Sequence, residues 1–160
     1  MRKIYTTIES CRICKARQLR DILNLGKQAP ANSLYKSSDD RPPDVPLRLL
    51  FCDNCSTVQL GEDVDPSYLF SQYLWVTGTS KTAEKYSYEF AKKALDKLKD
   101  YTNYSPYVVE IASNDGTLLS CYHNKKLDLL GVDPTAEKFS KYYPVHVNFI
   151  SNFFSSSIVE

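Results

Sequence analysis

Cys11-Arg12-Ile13-Cys14 and, after an insert of 37 residues, Cys52-Asp53-Asn54-Cys55 form two identical Cys-x-x-Cys pairs. Each pair sets two thiolates on one tight turn whose backbone amides are free to donate to the sulfurs. Two such turns supply the closed all-sulfur shell that Zn²⁺ prefers. The pattern predicts a structural zinc on Cys11, Cys14, Cys52 and Cys55. The insert is longer than the roughly 15 to 20 residues of the commonest ribbon spacing, so the chain must leave the site and return to it. Other uses of four cysteines compete with this one. Two disulfides would suit an oxidising compartment, but the opening MRKIYTTIESCRIC carries no apolar h-region. A redox Cys-x-x-Cys normally stands once, at a strand-to-helix junction. Iron in a four-thiolate site is not separable from zinc by sequence. Cys121 is left over and reads as a small buried hydrophobe.

Around these pairs the composition is ordinary. The 160 residues are 42% hydrophobic and 24% charged, enough for one medium domain or two small ones. A net charge of +1 argues against a nucleic-acid partner, because phosphate binding needs a concentrated basic surface. No apolar run approaches the roughly 18 residues of a membrane span, so a soluble, cytoplasmic protein is the expectation. The twelve tyrosines, several between Tyr68 and Tyr107, read as amphipathic packing or as a pocket lined by hydroxyl-bearing rings.

Outward from the first pair, Leu19 to Leu25 reads as a short strand or a turn of helix closed by Gly26. The polar loop from Gln28 to Asn32 follows, then a breaker-rich loop from Lys36 to Pro46. Leu47 to Phe51 enters the second pair and Thr57 to Leu60 leaves it, as in a small β ribbon. Asp65-Pro66 starts a helix, with Asp as cap and Pro in the first turn. From Thr82 to Tyr101, Ala83, Tyr86, Phe90, Ala91, Ala94, Leu95 and Leu98 recur at three and four, the period of an amphipathic helix. Beyond Pro106 the pattern becomes a buried strand (Tyr107 to Ala112), a helix (Thr117 to His123), a strand (Leu127 to Val132), a helix (Thr135 to Tyr142) and a strand (Val145 to Ile150). Such alternation predicts parallel strands joined by crossovers. The expected architecture is an α+β zinc-binding domain over residues 1–65, connector helices over 66–105, and the opening half of an α/β Rossmann-like nucleotide-binding domain over 106–160, its parallel sheet incomplete.

The loop after the first of these strands, Glu110-Ile111-Ala112-Ser113-Asn114-Asp115-Gly116, has small residues where a helix begins, so a ligand can approach the backbone. Ala112 and Asn114 stand near positions where a dinucleotide binder would place glycines, so no pyrophosphate cradle is written. Asp133 ends the second strand, 23 residues after Glu110, where an acidic side chain can accept from a ribose diol. A ligand with ribose and no phosphate fits, and S-adenosylmethionine is such a ligand. Its amino-acid and sulfonium part is expected over Glu110, Ala112, Asn114, Asp115 and Gly116, its ribose on Asp133, and its adenine near Asn152, Phe153 and Phe154.

The chain resembles the N-terminal part of the sugar C-methyltransferase family. The likeness runs through Cys11-Arg12-Ile13-Cys14, Leu23-Asn24-Leu25-Gly26, Gln28, Pro30, Ala31, Asn32, Pro46-Leu47, Cys52-Asp53-Asn54-Cys55 and Val58-Gln59-Leu60. It continues through Tyr73-Leu74-Trp75, Glu110 to Leu119 and Gly131-Val132-Asp133-Pro134. The resemblance implies a structural zinc domain, S-adenosylmethionine as methyl donor, and a nucleotide-linked keto-deoxysugar as substrate. It also implies a substrate pocket along Tyr73 to Ser80, including Trp75 and Thr77. The family usually has a second aromatic hydroxyl where Trp75 stands, and serine where Thr77 and Gly78 stand. Carbon methylation requires a base to remove the proton beside the keto group and a stabiliser for the resulting oxyanion. The family's Glu-His pair for this purpose lies beyond the matched region, and His123 and His146 read as structural residues. The expectation is therefore a fragment, or one half of a split enzyme completed by a C-terminal half in trans. A non-catalytic zinc-stapled scaffold is the alternative.

Overall fold

The computed structural model describes residues 4–31, 33–37, 41–71, 73–98, 107–122 and 127–159. The chain divides into two compact units, Met1–Tyr73 and Leu74–Glu160.

In the first unit, β1 (Tyr5–Thr7) pairs antiparallel with β5 (Glu62–Val64). A three-stranded antiparallel sheet is ordered β2 (Leu19–Gln28), β3 (Val45–Cys52), β4 (Val58–Leu60). β2 is a strand of 10 residues, longer than expected, because the chain does not stop at Gly26. It bulges there instead, with register shifts between Asp21 and Leu23 and between Asn24 and Lys27. Gly26 supplies the left-handed φ of 71° at the second shift, and its N–H donates to Asn24 Oδ1. β3 begins at Val45, inside the expected loop, and the short strands β1 and β5 are absent from the sequence reading. The expected cap is present: Asp65 Oδ1 accepts from Ser67 N at 2.9 Å and opens α1 (Pro66–Phe70).

In the second unit, a 3-10 turn (Thr77–Thr79) precedes α2 (Lys81–Leu98), where Ser80 Oγ accepts from Ala83 N. The end of the expected helix beyond Leu98 lies outside the described residues. The strands β6 (Tyr107–Ile111), β7 (Asp128–Val132) and β8 (Val147–Ile150) are all parallel, in that order across the sheet. α3 (Thr117–Ser120) follows β6, and α4 (Ser156–Val159) lies near the chain's end. The parallel alternation read from the sequence is present as a small three-stranded sheet.

Two expectations in this unit are corrected. β6 is not a buried strand: Tyr107, Val109 and Ile111 are exposed, because β6 pairs only with β7 and one of its faces carries no cover among the described residues. The segment from Thr135 to Tyr142 is a run of turns ending in a 3-10 turn (Ser140–Tyr142), not an α-helix. Most of its amides reach back three residues, Ala136 to Asp133, Ser140 to Glu137 and Tyr142 to Phe139, with Phe139 N shared between Ala136 O and Thr135 O, while Glu137 N goes to Ser151 Oγ. His146 precedes β8 in an exposed turn, and His123 lies outside the described residues.

The core of this unit gathers Ala91, Leu119, Tyr122, Leu127, Leu129, Ala136, Tyr143 and Val147. Cys121 packs partly buried against it, its Sγ donating to Thr117 O. Tyr143 is its wedge: the ring lies where a Cβ on Gly131 would meet Cε1 at 3.0 Å, and Ser113 Oγ would stand 2.6 Å from the same Cβ. Gly131→Ala is therefore expected to overpack the turn and cost about 1 to 3 kcal/mol, read as a lower urea midpoint with unchanged slope. A neutral substitution would show that the turn shifts freely.

Candidate metal centre and ligand-binding turn

The two cysteine turns are built alike. Cys11 N donates to Ala16 O and Cys52 N to Thr57 O, while Lys15 N returns to Cys11 O and Ser56 N to Cys52 O. Lys15 (φ 63°) and Ser56 (φ 61°), each directly after the second cysteine, take the left-handed conformation that folds the turn back. The four Sγ atoms lie within 4.8 Å of one another, with Cys11–Cys55 and Cys14–Cys52 both at 3.6 Å. A tetrahedron with Zn–S of about 2.3 Å has S–S edges of about 3.8 Å, so the set fits zinc, whereas a disulfide needs about 2.05 Å. All five cysteines are free thiols.

The environments of the sulfurs differ. Cys11 and Cys52 are wholly buried and Cys55 is exposed. The backbone N–H of Ala16 and then the Asn54 side chain pull the Cys14 thiol down to about 6, while burial pushes Cys52 up to about 11. Zinc must displace the proton from Cys52, so loading is favoured by rising pH. Gln59, buried, braces the first turn by accepting from Arg12 N at 2.8 Å. Asp53 braces the second, its N–H on Gln18 O and its carboxylate on Arg20 Nε at 2.9 Å.

In the second unit the turn after β6 holds three left-handed residues, Ala112 (φ 61°), Asn114 (φ 51°) and Gly116 (φ 74°). Two of them are the positions where the sequence reading noted missing glycines. Three anchors keep this conformation. Asp133 Oδ2 accepts from Asn114 N at 3.0 Å, and its Oδ1 accepts from Thr135 N and Oγ1 at 2.7 and 2.6 Å. Tyr143 OH donates to Asn114 O at 2.9 Å and meets Ser113 Oγ at 2.7 Å. The Asn114 side chain acts as a peptide group, accepting from Thr77 N and Oγ1 and donating to Trp75 O at 2.9 Å. Asp115 takes Gly78 N at 2.8 Å and Thr117 Oγ1.

The structure thus joins Trp75 and Thr77 of the expected substrate stretch to Asn114, while Ser80 caps α2 and Tyr73 ends the first unit. Asn152 and Phe153 follow β8, with Asn152 exposed and its Oδ1 occupied by Phe153 N. Tyr143 and Thr135 carried no mark as site residues in the sequence, since only the folded turn sets Tyr143 against Ser113 and Asn114 and Thr135 against Asp133. A cleft of about 450 Å³ beside the turn is lined by Val76, Glu84, Tyr88, Asp115, Ser120 and Cys121.

Glu110 stands apart from these anchors. It is half-buried, and its Oε2 has no hydrogen-bond partner among the described residues. Burial first, then the charges of Asp115 and Asp133, push its carboxyl up to about 7.

Two comparisons bear on these features. Residues 11–70 match a methyltransferase-associated family model described as "Putative zinc binding domain". The chain is also similar to C-methyltransferase NovU of Streptomyces niveus, 25% identical over 136 residues, which is 84% of this chain and 32% of the relative. The likeness is to a C-methyltransferase. The chain spans about a third of the length of the curated relative it matches.

Two outcomes follow. Structural zinc sites contribute about 10 to 16 kcal/mol, more than most small domains hold in total, so Cys52→Ser is expected to abolish zinc binding and the cooperative melt of residues 1–73. Metal analysis with thermal circular dichroism reads this, and a retained cooperative melt would contradict it. Because the folded pKa of Glu110 lies above its unfolded value, the native state holds the proton more tightly. This stability is full below about pH 4.5 and is lost as pH rises through 7, on the order of 2 kcal/mol. Glu110→Gln should flatten the loss between pH 5 and 8 in parallel melts, and identical slopes would remove Glu110 from the account.

Proposed function

We propose that the chain is the N-terminal portion of an S-adenosylmethionine-dependent C-methyltransferase acting on a nucleotide-linked keto-deoxysugar, with a zinc that is structural. The observation that carries the reading is the acidic, multiply anchored turn after β6. Glu110, Asp115 and Asp133 gather negative charge there, and one buried carboxylate oxygen lacks a donor. S-adenosylmethionine brings a sulfonium and an ammonium, and it supplies an electrophilic methyl group when bound. Asp133 spends three of its roughly four acceptor sites on Asn114 and Thr135 and keeps capacity at Oδ2 for one ribose hydroxyl. Glu110 and Asp115 balance the ligand's charge, and the left-handed turn exposes backbone to it. Asn114 keeps the Trp75–Thr79 strap against the turn.

The base for sugar deprotonation is assigned to a C-terminal half, supplied by a longer chain or in trans, and no residue described here takes that role. The zinc cluster has no open position for substrate, because four thiolates complete its shell. A cytoplasmic location agrees with four cysteines gathered for a metal rather than paired in disulfides. Among the described residues no helix is long and apolar enough to cross a membrane.

Calorimetry of the zinc-loaded chain with S-adenosylmethionine, against S-adenosylhomocysteine, tests the reading. Micromolar binding that weakens in Asp133→Ala with zinc content unchanged is expected. Folded, zinc-loaded chain that binds neither compound would leave a zinc-stapled scaffold as the better account.

A further inference from the structure

The first unit contains an open cavity of about 680 Å³ apart from the cysteine cluster, lined by apolar residues from five elements. Leu25 of β2, Leu47 of β3, Leu60 of β4, Val64 of β5 and Leu69 of α1, with Pro30 and Pro46, make its walls. Its size falls within the about 300 to 1,000 Å³ typical of small-molecule sites. Two charged residues also line it, Arg48 and Glu62.

Their pairing is lopsided. Arg48 Nε (3.0 Å) and Nη2 (2.6 Å) both donate to Glu62 Oε1, where a guanidinium ordinarily spreads over both oxygens of a carboxylate. Nη1 turns away to Asp21 at 3.2 Å. Glu62 is 5% exposed, and its Oε2, sealed from solvent, has no hydrogen-bond partner among the described residues. A buried carboxylate oxygen without a donor is costly, and two carboxylates against one guanidinium leave a negative charge beside an apolar chamber. That combination selects an occupant with an apolar body and a cationic donor. An anion would face the Glu62 carboxylate, and a neutral hydrocarbon would leave Oε2 unpaired.

We propose that this cavity binds an aliphatic ammonium compound, its chain among Leu25, Leu47, Leu60 and Leu69 and its N–H donors on Glu62. The Glu62 carboxylate turns about its terminal torsion, a broad and soft one, to share its two oxygens between Arg48 and the ligand. The site is independent of the zinc cluster and of the turn after β6.

Titration of the zinc-loaded chain with n-octylammonium, followed by amide chemical shifts, tests it. Saturable shifts at the amides of Leu25, Leu47, Leu60 and Leu69 are expected. Octanoate and n-propylammonium, which lack the cation and the chain respectively, should each bind at least about tenfold more weakly, as should Glu62→Gln. Leu69→Trp fills the chamber without touching a charge and should abolish binding, so the site remains testable if Glu62→Gln does not fold. Equal binding of octanoate, or shifts unaltered by Leu69→Trp, would overturn the proposal, as would the absence of saturable shifts.

Discussion

Everything in the first unit depends on bringing four sulfurs within reach of one ion. The cysteines sit where β2 begins and where β3 ends, so the pairing of Leu19 with Cys52 delivers the second turn to the first. Closing that excursion costs chain entropy, and a small, mostly exposed hairpin has little apolar burial with which to meet it. Metal–thiolate bonds offset the deficit. Gln59 and Asp53 only orient the two turns, through single hydrogen bonds that are individually modest.

The second unit solves a different problem, holding a backbone in an unfavoured conformation without glycine. Left-handed Ala112 and Asn114 are tolerated because neighbours over-determine them. Asp133 grips the Asn114 amide, Tyr143 grips its carbonyl, and the strap at Trp75 and Thr77 grips its side chain. One asparagine therefore connects the end of β6, the end of β7 and the segment leading into α2. Loss of any one anchor is felt at the other two.

Much of this was legible in the sequence where local chemistry suffices. The cysteine spacing named the metal site, Asp65-Pro66 named a helix start, and short alternating segments named a parallel sheet. What escaped depends on partners distant in the chain. Nothing local marks β1 and β5, which exist only as each other's neighbour. The exposure of Val109 and Ile111 follows from where β6 lies in the sheet, not from its apolar composition. The turns after Pro134 keep helical spacing in sequence, yet their amides bond mostly three residues back, and Glu137 N goes to Ser151. Glu62 looks like a surface acid until Arg48 and the strand pairing of Thr7 with Glu62 bury it.

The connectivity of the two sheets also sets an order of assembly. Gln28 and Val45 begin the β2–β3 ladder across the loop 29–44, and antiparallel pairing can then zip toward the cysteines. In the parallel sheet no hairpin exists to start from. Each pairing of β6 with β7 and of β7 with β8 must first close a crossover, and such non-local contacts slow folding. Residues 1–73 are also synthesised first, so the ribbon can capture its ion before β6 to β8 are available to pair, and a nascent chain acquires a metal-locked anchor before the turn after β6 is set.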